Sequence, residues 1–204
     1  MSLTPPSPNP NPARQPSLFS TEAADPALAD LAGLLAGPGE VVRMGGTARL
    51  SVVVEAAWRV HVLVAELGAR GVPAGWEPTG DGRYRVRTAY ASTLTPLARG
   101  WLHGAAKRPP ARFHLDGRRL RLWAAAAGAA EPAGFRLGLG PADEQCWKAV
   151  RAALAAVGLP AAFVEPGEGG PAYRIGGRRV TRLAELVGER PPAAPPADWP
   201  GPHG

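Results

Sequence analysis

The stretch Gly71-Val72-Pro73-Ala74-Gly75-Trp76 has a counterpart later in the same chain, Gly158-Leu159-Pro160-Ala161-Ala162-Phe163. A second pair of matching segments follows in register, with Tyr84-Arg85-Val86 matched by Tyr173-Arg174-Ile175. Self-similarity at a nearly constant spacing is the signature of an internal repeat. The sequence therefore predicts that the folded part of the 204-residue chain consists of two related units.

Each repeated segment follows an amphipathic helix. Apolar residues recur at helical spacing in both, and these are Val60, Leu63, Val64 and Leu67 in the first helix and Trp147, Val150, Leu154 and Val157 in the second. Gly71 and Gly158 are typical residues to end a helix. The pattern after each helix predicts a strand, a glycine-rich turn, a second strand and a closing helix, at Thr95 to Leu102 and at Arg178 to Val187.

The segments before the amphipathic helices are easier to interpret in the first unit than in the second. In the first unit, an apolar helix at Leu28 to Ala36 precedes a hairpin of Val41 to Met44 and Thr47 to Val54, with Gly45-Gly46 as its turn. In the second, Leu120 to Ala130 predicts a helix because it is nearly all Leu, Trp and Ala. Phe135 to Leu139 then alternates as a strand, and a hairpin turn at Asp116-Gly117 remains an alternative to the helix.

The order helix, two strands, helix, two strands, helix, repeated in tandem, resembles that of monomeric LAGLIDADG proteins. Leu31-Ala32-Gly33-Leu34-Leu35-Ala36-Gly37-Pro38-Gly39 resembles the name-giving motif at its first five positions and at its last, and it falls on the predicted first helix. Leu120 to Gly128 takes the corresponding place in the second unit but matches few of the letters. The resemblance implies an α+β fold of two tandem pseudo-symmetric LAGLIDADG-like repeats.

Within that superfamily the chain resembles the N-terminal region of WhiA sporulation regulators, whose LAGLIDADG-like domain has lost nuclease activity. The resemblance covers roughly residues 27 to 188 and includes the segment Thr47 to Glu55. WhiA proteins carry a helix-turn-helix after this domain, and the residues after Val187 are too few and too rich in proline to form one. We therefore expect a WhiA-like domain without its helix-turn-helix.

Composition suggests how the chain is divided. Proline-rich segments with little to bury predict flexible tails at residues 1–25 and 190–204. Between them we expect a first half at residues 26–103, a linker at 104–116 and a second half at 117–189. The 45% of hydrophobic residues is enough for a packed core and excludes a wholly disordered protein.

The single cysteine, Cys146, excludes an intramolecular disulfide and a zinc site built from several cysteines of one chain. The sequence has no signal-peptide pattern and no apolar run near the roughly twenty residues of a membrane span. We expect a cytoplasmic protein that does not enter membranes and is a monomer with internal pseudo-twofold symmetry.

The catalytic residues of the family that this motif resembles are replaced. Homing endonucleases of this fold use one carboxylate from the end of each motif helix to hold divalent metal between them. The matching positions are Pro38 and Ala127, which have no metal-binding side chain. We therefore expect no catalytic residue, no metal and no cofactor. Glu40 and Glu131 lie nearby, so a degenerate nuclease remains an alternative.

Arginines alternate with apolar residues along four predicted strands. Side chains in a strand point alternately to opposite faces, so the arginines share the face opposite the core, and they are Arg49, Arg83, Arg85, Arg87, Arg136 and Arg174. The resemblance implies that this face is a concave saddle over duplex DNA. With a net charge of +6, the pattern predicts a non-catalytic protein that binds double-stranded DNA and acts in transcriptional regulation or DNA maintenance. A plain solvated sheet face, in a protein-interaction module without DNA affinity, is the alternative.

A short peptide near the N-terminus suggests a second partner. Gln15-Pro16-Ser17-Leu18-Phe19 resembles the Gln-x-x-Leu-Phe peptide by which bacterial replication and repair proteins dock on the sliding clamp. Leu18 and Phe19 would serve as apolar anchors and Gln15 would supply a directional hydrogen bond. In the alternative, Leu18 and Phe19 fold back onto the domain.

Overall fold

Two four-stranded antiparallel sheets, one in each half of the chain, form the scaffold of the molecule. The computed structural model describes residues 25–165 and 169–201. The first half contains a 3-10 turn (Leu28–Leu31), α1 (Ala32–Ala36), β1 (Glu40–Met44), β2 (Thr47–Val54), α2 (Ala57–Ala69), β3 (Ala74–Pro78), β4 (Tyr84–Thr88), a second 3-10 turn (Ser92–Leu94) and α3 (Thr95–Trp101).

The second half repeats this order after a short hairpin of β5 (Leu102–His103) and β6 (Ala106–Lys107). It contains α4 (Gly117–Ala127), β7 (Gly128–Glu131), β8 (Gly134–Gly138), α5 (Glu144–Ala156), β9 (Ala161–Val164), β10 (Ala172–Gly176), α6 (Gly177–Val187) and a 3-10 turn (Pro196–Asp198). The α2 and α5 helices have 13 residues each, and no helix within the described ranges is long and apolar enough to cross a membrane.

The strand orders show that the two halves are related. The first sheet has the order β1-β2-β4-β3, and the second has the equivalent order β7-β8-β10-β9. The hairpins differ in length, because β2 has eight residues whereas β8 has five. At about 3.3 Å per residue, β2 spans about 26 Å and β8 about 17 Å.

The two halves meet where α1 packs against α4. A Cβ atom added to Gly33 would lie 2.0 Å from the carbonyl oxygen of Arg119, so only glycine allows this approach of the two backbones. A Cβ atom added to Gly37 would lie 2.5 Å from the ring of Trp123, which is fully buried and donates from Nε1 to the carbonyl oxygen of Gly138 at 2.7 Å. Small residues therefore set the distance between the halves, and one hydrophobic core spans both.

A buried ion-pair network also joins the halves. Glu66 of α2 accepts from Arg70 at 2.6 Å and from Arg121 of α4 at 2.8 Å. Arg70 also pairs with Asp30, at 3.2 Å, and both side chains are almost fully buried. The carboxylate of Glu66 thus connects a helix of the first half to a helix of the second.

The predicted helix at Leu120 to Ala130 begins and ends earlier than expected. Asp116 caps α4 by accepting from the backbone N–H of Arg119 at 2.9 Å, so the alternative of a hairpin turn at Asp116-Gly117 is wrong. The helix ends at Ala127, and Gly128 to Glu131 pair with β8 as an edge strand. A side chain at Gly128 would collide with the ring of Phe135, so this glycine is where the alanine-rich run changes from helix to strand.

Residues of the predicted linker and of the predicted C-terminal tail pack against the two halves where the structure describes them. Within residues 104–116, Lys107 and Leu115 are buried. In the C-terminal segment, Trp199 is 3% exposed, and Arg121 lies over its ring with Cζ 5.2 Å from the centroid. The indole of Trp58 donates to Asp198 at 3.1 Å. Aromatic and ionic contacts therefore hold a proline-rich segment that composition alone suggests is flexible.

We predict that Gly33→Ala lowers the free energy of unfolding by about 2 kcal/mol or more, because the new methyl group overpacks the contact with Arg119. Urea unfolding followed by circular dichroism measures the change. The matched control is Gly68→Ala, since Gly68 lies in α2 with open space around it. The control should stabilise the protein by about 0.5–1 kcal/mol, as helical Gly→Ala changes do. A neutral Gly33→Ala would contradict the close contact.

We also predict that Glu66→Gln lowers the free energy of unfolding by about 2 kcal/mol at neutral pH, because Arg121 loses its charged acceptor. Burial alone would raise the pKa of Glu66, but hydrogen bonds from Arg121 and Arg70 outweigh it and lower the pKa below its ordinary 4.5. The stabilisation is therefore complete above that ordinary value and is lost as pH falls through the lowered pKa. Urea unfolding at several pH values should show the difference from wild type shrinking in acid, and a difference that stays constant would contradict it.

Candidate nucleic-acid interface

The six predicted arginines all lie on the outer faces of the sheets. Arg49 is in β2, Arg83 immediately precedes β4, and Arg85 and Arg87 lie within it. In the second half, Arg136 is in β8 and Arg174 in β10. The residues that alternate with them belong to the core, and they include Leu50, Val86, Phe135, Leu137, Tyr173 and Ile175. The arginines thus alternate with core residues in the strands, and these six arginines define the outer arginine face.

Acidic side chains lie among the arginines of the first half. Glu77 of β3 is directly opposite Arg85, and its carboxylate is 3.7 Å from Arg85 and 3.0 Å from Arg87. Arg83 donates from Nε to Asp81 at 2.7 Å, and this hydrogen bond holds the pKa of Asp81 well below its usual range. These side chains are 40–50% exposed, so the ion pairs are weak and can exchange for other partners.

The second half has a tighter arrangement. Arg136 and Arg174 lie directly opposite each other in the register of β8 and β10, where like charges repel. Glu131 relieves the repulsion, with one carboxylate oxygen 2.6 Å from Arg174 and the other 3.7 Å from Arg136. Arg136 also donates to the carbonyl oxygens of Gly169 and Gly170.

Guanidinium groups outnumber the carboxylates that pair with them. Glu77, Asp81 and Glu131 each serve one or two arginines, and Arg49 lies over the ring of Tyr90 with Cζ 4.8 Å from the centroid. Five of the six arginines therefore share three carboxylates and Arg49 pairs with none of them, so these residues together carry a net positive charge. The sequence could not reveal these partners, because Glu77 reaches Arg85 only through the pairing of β3 with β4.

A cavity of about 480 Å³ lies at the centre of this face, where the two sheets meet. The lining of this central cavity includes Pro38, Ala127, Glu55, Arg59, Arg83 and Arg136. Pro38 and Ala127 share one cavity, as the resemblance implies for the ends of the two motif helices. Neither can bind a cation, and no cluster of three or more metal-binding side chains occurs among residues 25–165 and 169–201. The central cavity therefore does not fit a divalent metal.

Buried cations occupy the ends of the two central helices. Arg59 is 8% exposed and donates to the carbonyl oxygens of Ala124, Ala125 and Gly128, at 3.2 and 3.0 Å for the first two. Lys107 is 7% exposed, and its Nζ donates to the carbonyl oxygens that follow α1, at Gly37 (3.1 Å) and Gly39 (2.7 Å). The C-terminal end of a helix carries partial negative charge, so a cation stabilises it.

Sequence reasoning missed both cations. Arg59 lies between Trp58 and Val60 on an amphipathic helix. A charged residue at such a position was the one sequence feature that could have indicated a buried cation. Lys107 lies in the segment predicted as a linker, yet it is buried: its ammonium group bonds to backbone about 70 residues away and to Asp143 at 2.6 Å. Nothing local to Lys107 indicates those partners.

The basic run at the start of α4 does not extend the outer arginine face. Arg118 pairs with Asp30 at 3.3 Å, and Arg119 donates to the carbonyl oxygen of His114 at 2.7 Å. Arg121 donates to the carboxylate of Glu66 and to the carbonyl oxygen of Val187. These arginines lie at the opposite end of α4 from the central cavity, which Ala126 and Ala127 line.

Cys146 is buried, and its thiol donates to the carbonyl oxygen of Lys107 at 3.0 Å. Burial raises its pKa to about 11, so the thiol is protonated at neutral pH and is a poor nucleophile. Gln15, Leu18 and Phe19 of the clamp-like peptide lie outside the described residues, and their role stays a prediction.

Comparison with solved structures identifies the fold. The homing endonuclease I-WcaI bound to its DNA recognition sequence superposes with a TM-score of 0.56 and 12% identity, over 78% of this chain and 78% of that one. I-DmoI in complex with DNA and Mn gives a TM-score of 0.45 at 12% identity, over 79% of this chain and 98% of that one. No protein-family model and no curated protein matches the chain. The similarity to I-WcaI confirms the predicted α+β fold of two tandem LAGLIDADG-like repeats.

Proposed function

We propose that this protein binds double-stranded DNA on the outer arginine face and does not cut it. The observation that carries the proposal is the placement of six arginines from both halves on one face, with three of their neighbouring carboxylates only partly offsetting them. Arginine binds phosphate through a planar fork of donors, and such contacts supply most of the affinity for a DNA backbone. The solved structure that this fold resembles, I-WcaI, is itself bound to DNA.

The charges of the central cavity support a non-catalytic role. Metal-dependent phosphodiester cleavage needs carboxylates that hold a divalent cation beside the reacting phosphate. Here Pro38 and Ala127 stand at the helix ends, and buried Arg59 bonds to the carbonyl oxygens around Ala127. A positive charge at that point repels a second cation. Glu131, one of the alternative ligands, is already paired with Arg174 and Arg136.

The biological setting follows from the resemblances in the sequence. The resemblance to WhiA favours transcriptional regulation, and the clamp-like peptide at Gln15, Leu18 and Phe19 favours DNA maintenance with the sliding clamp as a second partner. A protein-interaction module is the competing function, and one observation favours it. Val42 and Met44 are 44% and 60% exposed on β1, on the same face as Arg49. Binding to a partner through these side chains would depend little on salt.

We predict salt-dependent binding of random-sequence duplex DNA, measured by fluorescence anisotropy at about 50 mM and about 200 mM salt. The double change Arg85→Ser and Arg87→Ser should weaken binding at least tenfold at the lower salt. It should also reduce the slope of log affinity against log salt by about two, the contribution of two phosphate contacts.

The matched control for this experiment is the double change Arg179→Ser and Arg182→Ser. Both residues are exposed on α6, in the helix layer, and their loss alters the net charge equally. The control should bind nearly as well as wild type. Equal losses in the two variants would show that net charge alone attracts DNA, and no binding at either salt would favour the interaction module.

We further predict that supercoiled plasmid stays intact on incubation with the protein and Mg²⁺ or Mn²⁺. Neither metal should raise DNA affinity above that in EDTA, because the central cavity has arginines where a bound metal would need carboxylates. Gel electrophoresis measures cleavage. Metal-dependent nicking that disappears in Glu40→Ala or Glu131→Ala would establish the degenerate nuclease instead.

A further inference from the structure

We infer that the central cavity binds a phosphate group of the DNA backbone through Arg59 and Arg83, with no metal ion between them. The inference rests on the proposed function and assigns a specific site within it. The phosphate group belongs to a phosphodiester of DNA, because the cavity lies on the outer arginine face.

The charge of Arg59 is the first reason. Arg59 is more than nine-tenths buried, yet it makes no ion pair with the described residues. Its partners are neutral, namely three carbonyl oxygens and the ring of Trp58, whose centroid is 4.4 Å from Cζ. The other buried cations are paired, since Arg70 has Asp30 and Glu66, and Lys107 has Asp143. A buried charge without a counter-ion is costly, so an anion in the cavity would stabilise it. Burial also lowers the pKa of Arg59, and Asp198 and Glu55 oppose this only from a distance.

The remaining lining is the second reason. Arg83 from the first half and Arg136 from the second both line the cavity, and Glu55 is the acidic residue among the lining side chains. The carboxylates that pair with these two arginines, Asp81 and Glu131, are not part of that lining. The lining therefore includes three arginines and one acidic residue, and a cavity of about 480 Å³ has room for a phosphate group with its hydration.

Lys107 provides an internal comparison between the two helix ends. It bonds to the backbone after α1 much as Arg59 bonds to the backbone around the end of α4. Asp143 neutralises Lys107 at 2.6 Å, and Lys107 does not line the central cavity. The cation without a carboxylate partner is thus on the α4 side, which is where the phosphate is expected to lie.

The experiment uses the full chain and two probes, inorganic phosphate and random-sequence duplex DNA. Thermal unfolding is measured in sodium phosphate and in sodium chloride at equal ionic strength, and DNA affinity by anisotropy. Glu55→Gln removes the acidic side chain from the lining, and Glu185→Gln, at an exposed site on α6, makes the same charge change elsewhere. We expect phosphate to raise Tm more than chloride does. We also expect Glu55→Gln to strengthen both phosphate and DNA binding by roughly threefold to tenfold, and Glu185→Gln to leave both nearly unchanged.

The outcomes separate this site from the proposed function. If DNA binding is salt-dependent but Glu55→Gln and Glu185→Gln behave alike, the phosphate site is overturned while DNA binding stands. If phosphate raises Tm in a manner that depends on Glu55 but duplex DNA does not bind, the phosphodiester assignment and the proposed function both fail. Arg59→Lys, which keeps the charge without the guanidinium fork, should abolish the phosphate-specific rise in Tm; where it does not fold, the Glu55→Gln comparison decides.

Discussion

The approach of α1 to α4 at Gly33 is the constraint on which the rest of the structure depends. With the Cα of Gly33 against the backbone of Arg119, the two central helices lie closer than any side chain would permit. Each helix leads into the first strand of its own sheet, so the position of the helix pair fixes where the sheets lie relative to each other. The outer arginine face and the central cavity are consequences of that one contact.

The same contact creates an electrostatic problem, because it places the C-terminal ends of two helices side by side. Each end carries partial negative charge on carbonyl groups that have no partner within the helix. A carboxylate added there would need a cation, a metal ion or a basic side chain, to offset the added negative charge. This chain offsets the charge of the helix ends with basic side chains, Arg59 on one end and Lys107 on the other. A metal and a buried arginine are alternative solutions to one problem, and the absence of carboxylates at Pro38 and Ala127 accords with the second.

Sequence patterns predicted what depends on local periodicity. The order of elements, the hairpin of β1 and β2, and the arginines alternating with Leu50, Val86 and Ile175 were all predicted correctly. The change from helix to strand at Gly128 was missed, because an alanine-rich run has high helix propensity and only pairing with β8 overrides it. Lys107 and Trp199 were assigned to solvated segments, since their partners lie far away in sequence. The carboxylates among the arginines were missed because strand register, which brings Glu77 beside Arg85, is a tertiary property.

The unequal hairpins give the molecule a direction that its repeated element order conceals. A surface with strict twofold symmetry presents the same contacts after half a turn, so it cannot distinguish the two ends of a linear ligand. Here half a turn exchanges the eight residues of β2 for the five of β8, and the four arginines of one half for the two of the other. Shortening one hairpin is therefore enough to make the two ends of a duplicated fold different. A linear partner lying across it would be held in one orientation in preference to the other.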